Sequence, residues 1–225
     1  LLVTGSMPSD AQTRALDAAL VAIAEHGLVP SVQAARITYA AAPEAVQGAV
    51  AAGILGCGSV ILGAAEAAGA FLQQCIDAGG DRRSAIEKVV SDLRSQKKAI
   101  PGYGHPYHKA HDPRTGRLIE VARELGVFGE HLETALLAEK VIPEITGRAL
   151  VLNVSGAIPS LLLDAGYPLL GMKGVPILAR TASLIAHILE ERSNPIGFAL
   201  TEAGSEVISY SGEVPEGFVA QGVGE

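Results

Sequence analysis

Apolar residues recur at helical spacing between cap and stop signals along most of this chain, which leaves little room for a sheet. Ser9 with Gln12 three residues later has the form of a capping box. Leu16, Leu20 and Ile23 follow at helical intervals, and Gly27 closes the segment. Pro30-Ser31 opens a helix toward Ala42, and Pro43 opens an alanine-rich one that reaches Gly53. Gly56, Gly58 and Gly63 break the pattern, so a loop or helix junction is expected there. Further helices are expected at 64–78, 84–98, 115–125, 131–147, 156–165 and 175–192. Ile86, Val89, Val90 and Leu93 make the 84–98 helix amphipathic. After Pro195 the run Val207-Ile208-Ser209-Tyr210 reads as a short strand.

Composition agrees with an all-α fold. Apolar residues are 48% of the 225, aromatics only 4%, and tryptophan is absent. That mix suits closely packed helices better than a β-sandwich. A formal net charge of −7 argues against nucleic acid as a partner. No run of about 18 apolar residues is apparent, so no membrane partner is expected. Cys57 and Cys75 imply a reducing, cytoplasmic setting without a disulfide framework. Leu1-Leu2-Val3 reads as the end of a buried element whose upstream part is absent.

The stretch Ile100-Pro101-Gly102-Tyr103-Gly104-His105-Pro106, closed by Asp112-Pro113-Arg114, carries the chemistry. Glycines flanking Tyr103 allow backbone amides to approach a ligand closely. Pro106 keeps His105 out of regular helix. Amides, one imidazole and one guanidinium suit an acidic ligand with a polarisable carbonyl. His105, His108 and His111 have a spacing that suggests a metal, but Pro106 interrupts it and no carboxylate or cysteine cluster supports it. No metal is expected, and His108 and His111 read as solvated loop residues. Cys57 lacks a visible activating base and reads as a small buried residue. Gly56, Gly58 and Gly63 lack the lysine of a phosphate loop. Ser155, outside any nucleophile elbow, is either a helix N-cap or a hydrogen-bond donor to substrate. Arg114 and Arg180 are either carboxylate ligands or structural ion pairs.

In order along the chain, these motifs resemble the citrate synthase family. Glu25-His26-Gly27 with Ser31 and Arg36 is similar to its HG…S…AR segment. The glycine–tyrosine–histidine loop and Asp112-Pro113-Arg114 match its central loop. Ala179-Arg180-Thr181 with Ala186-His187 and Glu190-Glu191 is similar to its last long helix. The His105-Pro106-Tyr107-His108-Lys109 wording is nearest the shorter citryl-CoA-lyase-like branch, related to the C-terminal module of ATP-citrate lyase. The resemblance implies a multi-helical fold over residues 1–225, with a small lobe near 60–165, a large lobe and a homodimer. It implies that His105 polarises the ketone or hydroxyl oxygen of a four-carbon acid. Arg114 and Arg180 would pair with its carboxylates, and His26 would line the pocket. Coenzyme A, as thioester substrate or product, would lie along Pro101, Gly102, Tyr103 and Gly104, with Lys98 and Arg148 toward its phosphates and Asn153 beside it.

Three departures alter the expected reaction. The family's Gly-Pro-Leu-His-Gly-Gly histidine, which stabilises an enolate, registers on Ile61. The aspartate that takes the acetyl-CoA proton is Ser155 here, and a serine hydroxyl is a poor base near neutral pH. A partner-subunit arginine before the last proline is replaced by Asn194. Ordinary citrate synthesis is therefore not expected. The leading expectation is a lyase cleaving a 3-hydroxy-acyl-CoA by retro-Claisen chemistry, with His105 and Ser155 catalytic. The alternatives are a relative that condenses or decarboxylates another acid or CoA ester, and a catalytically silent binder of acyl-CoA or carboxylate.

Overall fold

The computed structural model describes residues 1–104, 111–209, 211–213 and 215–218, with the main chain alone at 59–61. Among them ten α-helices follow one another: α1 (Asp10–Ala24), α2 (Pro30–Ala41), α3 (Val46–Leu62), α4 (Ala64–Asp77), α5 (Arg82–Ser95), α6 (Pro113–Glu124), α7 (Glu130–Thr146), α8 (Val154–Asp164), α9 (Gly174–Ser193) and α10 (Gly197–Glu206). Strand pairing among the described residues is limited to one antiparallel bridge between Tyr103 and Leu152. The fold is all-α, as the sequence implies.

Local chemistry accounts for five of the ten helix starts. Ser9 and Gln12 form both bonds of the capping box ahead of α1. Pro30 is the first residue of α2, where its missing N–H costs nothing. Asp81 caps α5 by accepting the Ser84 amide, so that helix begins before Ser84. Asp112 caps α6 with Pro113 behind it. Asn153, not Ser155, caps α8: its side chain accepts the Gly156 amide. Ser155 stands one residue inside the helix, which removes the N-cap reading.

Two elements differ from expectation. The third helix starts at Val46 and passes through Gly53 and Gly56 to a kink at Gly58 (φ 62°, ψ 174°). Gly53 and Gly56 stay helical because tertiary packing needs them bare. A Cβ on Gly53 would stand 2.7 Å from the Leu184 methyls, and one on Gly56 3.2 Å from Ser31 Cα. The tail after Pro195 forms helix α10 rather than a strand; Val207, Ile208 and Ser209 are unpaired, and Tyr210 lies outside the described residues. Buried Glu191 accepts the Ile196 and Gly197 amides at 3.0 and 2.8 Å and so starts α10 from a distance in sequence.

Two large apolar clusters and two small ones hold the helices together; the small ones, around Val32 and Leu184 and around Tyr39 and Ile188, join α2, α3 and α9. Leu118, Leu132, Ile158, Leu161, Leu162, Met172 and Val175 pack with Ala15 and Ala19 of α1. Phe71, Leu72, Ile86, Val90, Val141, Ile142 and Leu152 pack between α4, α5 and α7. Each large side chain so buried contributes roughly 1.5–3 kcal/mol. The stretch Leu169–Ser193 is long and apolar enough, at mean hydropathy 1.3, to cross a membrane by length and composition, contrary to the expectation of no such run. Within this fold one face of it is buried: Arg180, Ser183, His187 and Glu191 face inward from α9, which packs on α1, α2 and α3.

Candidate active site

Arg180 of α9 is 7% exposed, and its Nη1 has no hydrogen-bond partner among the described residues. Leaving a buried charged donor unmatched costs roughly 1–3 kcal/mol or more, so such a group marks a place for an external acceptor. Burial pulls the guanidinium below its ordinary pKa; Cys57 and Glu25 oppose that electrostatically, and Arg114 adds to it. Arg114 and Arg180 are thus close enough to repel, and Cys57 and Glu25 share their neighbourhood. Cys57 is 4% exposed, which fits a small buried residue.

Arg114 is aimed by its own cap. Asp112 is buried, and its Oδ1 accepts Arg114 Nε at 3.0 Å while Oδ2 accepts Nη2 at 2.8 Å. Asp112 Oδ2 also accepts the Val154 amide at 3.2 Å, joining α6 to the start of α8. Burial alone would raise the Asp112 pKa; the Arg114 and Val154 bonds outweigh it and hold the carboxyl below its ordinary range. Arg114 thus makes an ion pair with Asp112 while its guanidinium remains partly exposed. An Asp followed by Pro and Arg is the local signal of this N-cap.

The loop before His105 is stitched to α8. The Gly104 amide donates to Val151 O at 2.8 Å, and the Asn153 amide donates to Gly102 O at 2.9 Å. Asn153 Nδ2 donates to Gly104 O at 2.7 Å. Gly102 (φ 85°) and Gly104 (φ 84°) occupy the left-handed region. A Cβ on Gly102 would meet Gly156 Cα at 2.8 Å, so this glycine also serves helix contact. Tyr103 points inward: its hydroxyl donates to Ala135 O at 2.9 Å and its ring meets Phe71 edge-on. Burial pushes the Tyr103 phenol well above its ordinary pKa.

The remaining candidates are placed less tightly. Ser155 is half-buried in the first turn of α8. Pro101 is half-buried, while His26, Lys98 and Arg148 are exposed. Lys97 takes φ 56° and closes α5 as a left-handed cap, leaving Lys98 just beyond it. His105 and His108 lie outside the described residues, as does the side chain of Ile61; His111 is exposed. Among the described residues no group of three or more His, Cys, Asp or Glu could hold a metal ion. A cavity of about 510 Å³ beside Leu1, Leu16, Tyr167 and Leu178 has no charged side chain in its lining.

Glu25 and His187, both motif residues, gather here with Ser183. The Glu25 carboxylate accepts the Gly27 amide, takes Ser183 Oγ at 3.2 Å and faces His187 Nε2 at 2.8 Å. Motif residues Arg36, Glu190 and Glu191 pair with one another: Arg36 Nε donates to Glu191 at 2.7 Å and Nη1 to Glu190 at 3.2 Å. Arg36 Nη2 also donates to Asn194 O at 2.8 Å.

Arg114 and Arg180 thus share one electrostatic neighbourhood within an all-helical fold. The profile of the family "Citrate synthase, C-terminal domain" matches residues 1–197, and the chain belongs to that family. It is 34% identical to the citryl-CoA lyase of Hydrogenobacter thermophilus, with a TM-score of 0.86 over 97% of this chain and 84% of that one. It is 29% identical to the citrate synthase of Heyndrickxia coagulans over 86% of this chain and 51% of that protein. The ATP citrate lyase of Methanosaeta concilii, solved in complex with (3S)-citryl-CoA, superposes with a TM-score of 0.72 at 25% identity, over 94% of this chain and 36% of that one. The chain thus spans about half the length of the citrate synthase it matches.

Proposed function

We propose that this chain is a citryl-CoA-lyase-type enzyme that cleaves a 3-hydroxy-acyl-CoA by retro-Claisen chemistry. The observation that carries the reading is its likeness to citryl-CoA lyase over 84% of that protein's own length. In the reaction a base removes the proton of the tertiary hydroxyl. The oxyanion becomes a ketone as the carbon–carbon bond breaks, and its electron pair leaves on the thioester half as an enolate. Protonation of that carbon then gives the shorter acyl-CoA. His105 is the base in this scheme. Arg180, with Arg114 beside it, holds the carboxylates of the four-carbon half by charge-assisted bonds. Ser155, in the first turn of α8, donates toward the enolate oxygen, where the positive helix end also favours negative charge. Lys98 and Arg148, both exposed, take the CoA phosphates.

Incubation with citryl-CoA, followed by mass spectrometry, should yield acetyl-CoA and oxaloacetate. Intact citryl-CoA, bound but not cleaved, would instead favour the silent binder. Acetyl-CoA and oxaloacetate together should give little thiol release, because Ser155 is not ionised near pH 7. Ser155→Asp should raise that release, although Ile61 supplies no donor. Wild-type synthesis near ~10 s⁻¹, a typical enzyme rate, would overturn this assignment of Ser155.

We also propose a homodimer. Leu178, Ile185 and Leu189 lie exposed along one side of α9, and an apolar stripe of that kind suits a second copy. Light scattering at micromolar concentration should give twice the 23.1 kDa chain mass; a monomer there would refute it.

A further inference from the structure

We infer that Glu25 and His187 are positioning residues that set the turn carrying His26. The inference rests on the proposed place of His26 in the substrate pocket. Helix α1 ends at Glu25, whose backbone is extended (φ −113°, ψ 145°), and the chain reverses at Gly27 (φ 68°). One carboxylate governs that reversal. Backbone bonds from His26 and Gly27 both reach the Glu25 side chain. Burial would raise the Glu25 pKa, but these two bonds and His187 hold it below its ordinary value.

The other carboxylate oxygen is fastened to α9. Glu25 Oε2 meets His187 Nε2 at 2.8 Å and Ser183 Oγ at 3.2 Å. On its far side His187 Nδ1 meets Glu190 Oε2 at 2.9 Å, and Glu190 is held in turn by Arg36. Arg180, Ser183 and His187 fall at i, i+3 and i+7, one face of α9, and all three are buried. The helix that presents the pocket guanidinium thus also grips, one and two turns on, the residue that shapes the His26 turn. Glu25 attracts Arg180 electrostatically as well. With His187 removed, Glu25 loses its strongest anchor on α9, and the turn loses its fixed place relative to Arg180.

The test is histidine-selective NMR of the whole chain. Six histidines give resolvable ring cross-peaks, with His26 assigned through His26→Gln. His187→Leu should shift and broaden the His26 peak, whereas His131, held by Asp164 at 2.8 Å, should stay in place and report an intact fold. His187→Gln retains a donor toward Glu25 and should restore most of the wild-type His26 position. Glu25→Gln, which keeps the side-chain size, should shift His26 even if His187→Leu fails to fold. A His26 peak unchanged in the folded His187→Leu or Glu25→Gln protein would overturn the clamp. Oxaloacetate titration separates the two claims. Wild type should show a saturable His26 shift that weakens in His187→Leu. No shift in wild type would remove His26 from the pocket and end the positioning role, whatever the apo spectra show.

Discussion

Glu191→Ala is expected to cost the fold about 3–5 kcal/mol, the usual penalty for stripping one partner from a buried ion pair. Arg36 and Glu191 are 5% and 3% exposed and meet at 2.7 Å, so the variant leaves a guanidinium desolvated. It also orphans the Ile196 and Gly197 amides, which the same carboxylate accepts at the start of α10. Burial would raise the Glu191 pKa, but Arg36 and these amides hold it below its ordinary value of 4.5. The folded state therefore binds a proton there less readily than the unfolded chain. The contribution is present above pH 4.5 and is lost as pH falls through the lower, folded value. Urea denaturation at neutral pH checks the size. A Glu191→Ala midpoint close to wild type would show that Glu190, also bonded to Arg36, replaces the lost carboxylate.

His105→Ala should lower citryl-CoA cleavage by ~10²–10⁴-fold, the usual contribution of a general base, while thermal unfolding stays near wild type. His105 follows directly on a loop fixed by the Gly104 amide and by Asn153. In the proposed scheme it alone takes the hydroxyl proton. Single-turnover mass spectrometry of the acyl-CoA product is the measurement. Full turnover in the variant would move the base elsewhere and remove the chemical role of the loop.

How much of this was legible in the sequence depended on the range of the interactions. The start of α1 could be read because the two capping-box bonds join Ser9 and Gln12, only three residues apart. Helix α10 could not, because its cap comes from Glu191 on another helix and not from its own N-cap Ile196. Gly53 and Gly56 look like helix breakers until Leu184 and Ser31 are seen against them. At the site, Arg114 and Arg180 could be named through family resemblance. The bond between Glu25 and His187 spans 162 residues and leaves no local pattern. The family resemblance sets Tyr103 along a ligand, yet its ring belongs to the core with Phe71.

The seam between the loop and α8 has a mechanical meaning. Gly102 O lies 2.7 Å from where a Gly156 Cβ would be, and the bonds across the seam run largely between main chains. No side chain separates the two segments there, so side-chain trimming cannot slacken them. Displacement of either segment at this seam is therefore passed directly to the other. Variation that enlarges either position 102 or 156 would have to move the backbone of both, so the two positions are expected to change only as a pair.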